Sequence, residues 1–133
     1  MDGKITAVVK NPNKRPQIVE IDNTLEALQD IVGGLITSAD LPNMYDVWGF
    51  CNDEGLLIGL QPNIFRPEYG DGVVGPIVFV GGGEDGESKS LTSEQIKRVT
   101  TYLEENSVKD FEEFCRYITT GFENYKPKKQ MSM

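Results

Sequence analysis

Gln17-Ile18-Val19-Glu20-Ile21-Asp22-Asn23-Thr24-Leu25-Glu26-Ala27-Leu28-Gln29-Asp30-Ile31-Val32-Gly33-Gly34 decides the fold, because a strand-like run gives way at once to a capped helix. Gln17 to Ile21 reads as a strand. Asn23 as N-cap, with Glu26 three residues on, forms an Asn variant of the capping box. Leu25, Leu28, Ile31 and Val32 then share one helical stripe, and Gly33-Gly34 ends it. The pattern predicts a short helix over about Thr24 to Val32.

Outward from this stretch, Lys4 to Lys10 alternates and carries the β-branched Ile5, Val8 and Val9, so it reads as the first arm of a hairpin. Asn11 to Pro16 is its polar, proline-bounded turn. On the C-terminal side, Leu35 to Ser38 and Val47 to Cys51 read as strands separated by a Pro42-Asn43 turn. Asn52-Asp53-Glu54-Gly55 has the chemistry of a tight hairpin turn leading into a strand over Leu56 to Leu60. Pro62 to Gly72 reads as irregular. Val73 to Val80 is strongly apolar, with Gly75-Pro76 marking a bulge or an edge position.

Gly81 to Ser90 is an acidic glycine loop. Thr92 and Gln95 form a second capping box, opening a helix with Ile96, Val99 and Leu103 inward. Ser107 and Asp110 start a third helix, with Phe111, Phe114, Cys115 and Ile118 on its apolar face and Gly121 at its end. The fold expected is α+β: a mostly antiparallel sheet of five or six strands, one short helix after the first hairpin, and two C-terminal helices. A single domain over 1–124 is expected, followed by a flexible basic tail over 125–133 that contains Lys126, Lys128 and Lys129.

A chain of 133 residues is large enough for one core and too small for two. No run approaches the roughly 18 apolar residues that span a bilayer, and Met1-Asp2-Gly3-Lys4 leads into strand-like sequence without an apolar signal region. A cytoplasmic protein without a membrane partner is the expectation. Cys51 and Cys115 fit that compartment as small, buried apolar residues. The chain has no histidine, which removes the commonest general base, the commonest zinc ligand and every Ser-His or Cys-His nucleophile. The expectation is a protein that is not an enzyme and needs no cofactor.

Between Gln17 and Ile96 there are fourteen Asp or Glu residues against two bases, Arg66 and Lys89, so that stretch carries twelve net negative charges while the whole chain carries −8. Such a field selects partners. It empties the glycine loop of phosphate-binding chemistry: Gly81 and Gly86 have P-loop spacing, but Glu87-Ser88 stands where Lys and Ser/Thr are required. Glu84, Asp85 and Glu87 offer hard oxygen ligands without the alternate spacing of a calcium loop, so no metal site is expected. The field likewise argues against direct nucleic-acid binding.

Two surfaces remain as candidate sites. One is acidic: Asp53, Glu54, Glu84, Asp85 and Glu87, with Glu104, Glu105, Glu112 and Glu113 in reserve. Carboxylates arrayed on a folded surface can imitate a phosphate backbone and occupy a nucleic-acid groove in a basic host protein; the plain alternative is that they keep the protein soluble. The other is the loop bearing Asn63, Phe65, Arg66 and Tyr69, which offers an amide, a guanidinium and two rings to a small nucleotide-like ligand. Its plain alternative is that Phe65 fills the core and Arg66 pairs with Glu68 or Asp71.

Three groups of residues, in order, carry a resemblance. They are Lys14-Arg15-Pro16 with Ile18 to Gln29 and Val32-Gly33-Gly34; Cys51 to Gly55 with Gly59-Leu60 and Pro62-Asn63; and Val74-Gly75 with Ile77 to Gly81, Ser90-Leu91-Thr92 and Glu94-Gln95. Over about 4–98 they resemble a family of small proteins of unknown function from phages, prophages and mobile elements of Gram-positive bacteria, with 99–124 as a helical extension. In that family the Asn matching Asn63 is often followed directly by Arg, whereas Ile64 follows here and Arg66 comes later. The resemblance implies an accessory protein that acts by binding. It would block a host defence protein through its acidic face, sequester a nucleotide-like signal, or serve as an interaction module with no ligand. A homo-oligomer is left open.

Overall fold

The computed structural model describes residues 3–120. β1 (Lys4–Lys10) and β2 (Gln17–Asp22) form the expected hairpin, in register from Lys4 opposite Asp22 to Val9 opposite Gln17. α1 (Leu25–Val32) follows, then β3 (Ile36–Ser38) and β4 (Val47–Asn52). β5 (Pro62–Arg66) and β6 (Asp71–Val74) pair with each other in a separate ribbon. β7 (Ile77–Gly82), β8 (Ser88–Lys89), α2 (Ser93–Glu105) and α3 (Phe111–Thr120) complete the chain. The main sheet runs β2-β1-β7-β4-β3, with β8 on β7, and every pairing is antiparallel. The fold is α+β, with six strands in the main sheet, one helix after the first hairpin and two at the end, as the sequence pattern requires. The Gly121 helix end and the basic tail over 125–133 lie outside the described residues.

Alternation on the central strands sorts the core into two faces. Ala7, Val9, Val78 and Val80 face one way and meet Leu28, Ile31 and Val32 of α1. Val8, Ile77 and Phe79 face the other way and meet Val99 and Leu103 of α2 together with Ile64 and Val73 of the ribbon. A helix thus covers one face, and a helix plus a ribbon cover the other, which is why Ile77 to Val80 is apolar at every position. Behind the ribbon, Phe114 of α3 stacks on Phe65 with ring centroids 6.2 Å apart.

Four local readings are corrected. The N-cap of α1 is Thr24, whose Oγ1 accepts the Ala27 N–H at 3.1 Å; Asn23 instead donates from Nδ2 to the Ser88 carbonyl at 3.2 Å. Leu56 to Leu60 is a compact turn, not a strand, because Ile58 N–H bonds Glu54 O and Leu60 N–H bonds Gly55 O, both at 3.0 Å. Pro62 to Gly72 is ordered as β5 and a 3₁₀ turn over Pro67–Tyr69 that leads into β6. Pro62 stands at the first strand position, where its missing N–H is least costly, and Gly70 closes the turn at φ 70°. Gly75-Pro76 is neither bulge nor edge: Gly75 turns the chain at φ 77° and separates β6 in the ribbon from β7 at the centre of the sheet.

The α2 capping box is present in full, with Thr92 N–H on Gln95 Oε1 at 2.8 Å and Gln95 N–H on Thr92 Oγ1 at 3.1 Å. The junction after α2 is sewn to β5 by Phe65 N–H to Asn106 O and Val108 N–H to Asn63 O, both at 2.8 Å.

Candidate functional site

The acidic residues do not form one face. β4 ends at Asn52 and carries Asp53-Glu54 beyond it, whereas β7 runs antiparallel and carries Glu84, Asp85 and Glu87 beyond its opposite end. Six residues of strand, about 20 Å, separate the two turns. Glu104 is drawn to Arg15 at 3.5 Å, and Glu105 follows it at the C-terminal end of α2. Glu112 and Glu113 open α3, where the Glu113 N–H caps onto Asp110 Oδ1 at 2.6 Å. The nine carboxylates are distributed over four places.

The four residues of the ligand alternative are likewise divided between core and surface. Asn63 is fully buried: its Nδ2 donates to the Lys10 carbonyl at 2.7 Å and the Gly75 carbonyl at 2.8 Å. Phe65 is buried against Phe114 and Val108. Arg66 clamps Asp71 through Nε at 2.9 Å and Nη2 at 2.7 Å, donates from Nη1 to the Asp40 carbonyl at 2.7 Å, and stands 4.8 Å from the centroid of the Tyr69 ring. Asn63 and Phe65 hold the ribbon in place, and neither is open to a ligand. The sequence offered Arg66–Asp71 as the plain alternative, and that is the pairing found.

What the fold assembles at the Asp53 end is different. Asp53 N–H bonds the Leu35 carbonyl at 2.8 Å and Glu54 N–H bonds Asn52 Oδ1 at 2.8 Å, so both carboxylates project from an anchored turn. Asn52 is itself buried, with Nδ2 on the Val32 carbonyl at 3.1 Å. Immediately beyond, Leu56, Leu57 and Ile58 are 77 %, 86 % and 57 % exposed, and Leu35, whose carbonyl takes the Asp53 N–H, is 64 % exposed. A cavity of about 410 Å³ lies under this turn, bordered by Cys51, Glu54, Leu57, Arg66 and Val74. Burial pushes the half-buried Cys51 thiol up, which disfavours its thiolate.

A family model described as a domain of unknown function, DUF3846, matches residues 5–104. The chain belongs to this family. No curated protein and no solved structure matches it. The matched DUF3846 region ends inside the last turn of α2, so it contains the Asp53–Ile58 turn and leaves α3 outside. Family membership names no activity. Among the described residues no helix is long and apolar enough to cross a membrane, and no group of three or more carboxylate or thiol side chains is placed to hold a metal ion.

The exposed apolar triplet was hidden from the sequence because Leu56 to Leu60 has the composition of a strand. The available signal was that Leu56, Leu57 and Ile58 are apolar in succession, with none of the alternation of a half-buried strand. Lys10 was also missed. It stands two residues after Val8, on the strand face that turns inward, and its parity alone marks it as buried.

Proposed function

We propose that this DUF3846 protein acts by binding rather than by catalysis, and that the turn from Asp53 to Ile58 is its contact surface for a host protein. The partner would be basic around an apolar patch. The observation that carries this reading is the triplet Leu56, Leu57 and Ile58, held in water on a hydrogen-bonded turn beside two carboxylates. Covering one such side chain is worth about 1.5–3 kcal/mol, so three in a row are an unspent source of affinity. Asp53 and Glu54 would add orientation and a preference for basic surfaces. An accessory, counter-defence or host-modulating role in a mobile element accords with this kind of surface. The basic partner remains part of the reading; the single continuous acidic face does not.

The test compares three forms of the full chain as bait in a Gram-positive bacterial lysate. They are the native sequence, the triple variant Leu56→Ser, Leu57→Ser, Ile58→Ser, and the double variant Asp53→Lys, Glu54→Lys. A protein captured by the native bait and lost with both variants is the expected result. Loss of capture should steepen with salt for the charge contribution, since the screening length is about 8 Å at physiological ionic strength. Equal capture by all three forms would reject the surface. A native dimer that dissociates in the triple variant, seen by sedimentation, would replace the host protein with a second copy of this chain.

A further inference from the structure

Away from the Asp53 turn, the fold reverses the field of this acidic chain. The β1–β2 turn and the α2–α3 junction come together around a cavity of about 410 Å³ whose wall includes Lys10, Lys14, Arg15 and Lys109. Among the described residues the one carboxylate in that wall is Glu104, which is paired with Arg15 at 3.5 Å. Four bases against one acid is the opposite of the balance between Gln17 and Ile96.

Lys10 sets this cavity apart from a patch of surface lysines. It is fully buried, and its Nζ donates to Asn63 Oδ1 at 2.8 Å and the Asn11 carbonyl at 3.0 Å. Both acceptors are neutral, and an ammonium has three donors. Among the described residues no carboxylate pairs with it and no acceptor takes its third N–H. A buried cation without a counter-charge is costly, and burial accordingly pushes its pKa down to about 8. An anion brought in from outside would remove that cost.

A second cavity of about 380 Å³ adjoins the first and shares Asn13, Val108 and Lys109 with it. Its further wall is Gly59, Leu60, Gln61 and Pro62, with Asp110 at one side. This half offers apolar and amide surface, which suits the uncharged body of a ligand.

We propose that the paired cavity is a binding site for a small phosphate ester, its phosphate held by Lys14, Arg15 and Lys109 with the buried Lys10 ammonium contributing its charge from behind the wall, and its organic body lying against Leu60 to Pro62. The phosphate supplies the counter-charge that Lys10 lacks. Lys14 and Lys109, both exposed, give the site its attraction and its salt dependence. The site uses Gly59 and Leu60 at the end of the compact turn but none of Asp53 to Ile58.

The experiment is calorimetric titration of the full chain at low salt with adenosine monophosphate, inorganic phosphate and adenosine as probes. The same titrations are run on Lys14→Ala, Lys109→Ala, and amide spectra are recorded for Asn11–Pro16 and Ser107–Lys109. Expected are binding of the monophosphate at least tenfold tighter than inorganic phosphate, no binding of adenosine, and local amide shifts. The double variant, altered only at exposed positions, should melt as the native chain does and lose at least tenfold in affinity. Lys10→Met should lose binding if it folds; if it does not, the double variant still decides. No binding by the native chain up to about 10 mM, an affinity unchanged in the double variant, or equal binding of adenosine would each overturn the proposal. Inorganic phosphate binding as tightly as the ester would overturn the role given to the second cavity.

Discussion

Lys10 and Asn63 clasp each other across the interior: Nζ of the lysine donates to Oδ1 at 2.8 Å, and Nδ2 of the asparagine returns a hydrogen bond to the Lys10 carbonyl at 2.7 Å. This reciprocal pair ties the end of β1 to the start of β5, and a further bond from Nδ2 to the Gly75 carbonyl at 2.8 Å reaches the turn between β6 and β7. One amide therefore fixes the ribbon to the sheet. Asn63→Ala would strip two carbonyls of their bonds from Nδ2 and leave the ammonium with one acceptor. The expected loss is about 3 kcal/mol, read as a lower urea midpoint. A loss below about 1 kcal/mol would mean that packing of Ile64 and Phe65, rather than this amide, holds the ribbon.

The same lysine gives the protein a distinctive pH dependence. Its folded pKa is depressed to about 8 from an ordinary 10.5. Below pH 8 the group is charged in both states and the full burial cost is present. Between pH 8 and 10.5 the unfolded chain keeps a proton that the folded chain has released, so stability rises with pH across that window. Above it, both states are neutral and the rise stops. Stability of the native chain minus that of Lys10→Met, measured from pH 7 to 11, isolates this contribution. A flat difference would show that the ammonium is solvated.

Gly49 is a position where the sheet leaves no room for a methyl group. A Cβ there would overlap the Ala39 carbonyl oxygen and lie 2.7 Å from a ring carbon of Phe79. The carbonyl is fixed, because Ala39 N–H bonds Gly49 O at 2.8 Å and Gly49 N–H bonds Asp40 Oδ1 at 3.0 Å. Gly49→Ala should therefore cost about 2–3 kcal/mol despite its better strand propensity. Thermal melting checks this, and an unchanged midpoint would mean that β3 and its approach segment can move away from β4.

Legibility in the sequence followed the range of the interactions. The first hairpin, α1 and the α2 capping box were readable because their determinants lie within a few residues, as Thr92 and Gln95 do. The ribbon was not, since Pro62, Gly70 and Gly72 look like breakers until Ile64, Phe65 and Val73 are seen against Leu103 and Phe114. Asp53 and Glu54 were readable as exposed turn residues. The division of the acidic charge was not, because it depends on β4 and β7 running in opposite directions. The cavity around Lys10 joins residues 10–16 to residues 104–109, a contact that no local pattern announces.

Leu57 separates what holds the protein together from what it offers to a partner. Its side chain is 86 % exposed, and the turn beneath it is held by backbone bonds that its side chain does not make. Leu57→Ser should shift stability by no more than about 0.5 kcal/mol, the usual range for a surface position. If the triplet is a contact surface, the same change should weaken capture of the partner about tenfold or more, as expected for losing one buried leucine at an interface. A marked drop in melting temperature would reassign Leu57 to the fold. Unchanged stability with unchanged capture would leave Leu56 and Ile58 as the residues to truncate next, and would place the centre of the contact nearer Leu35 and the edge of β3.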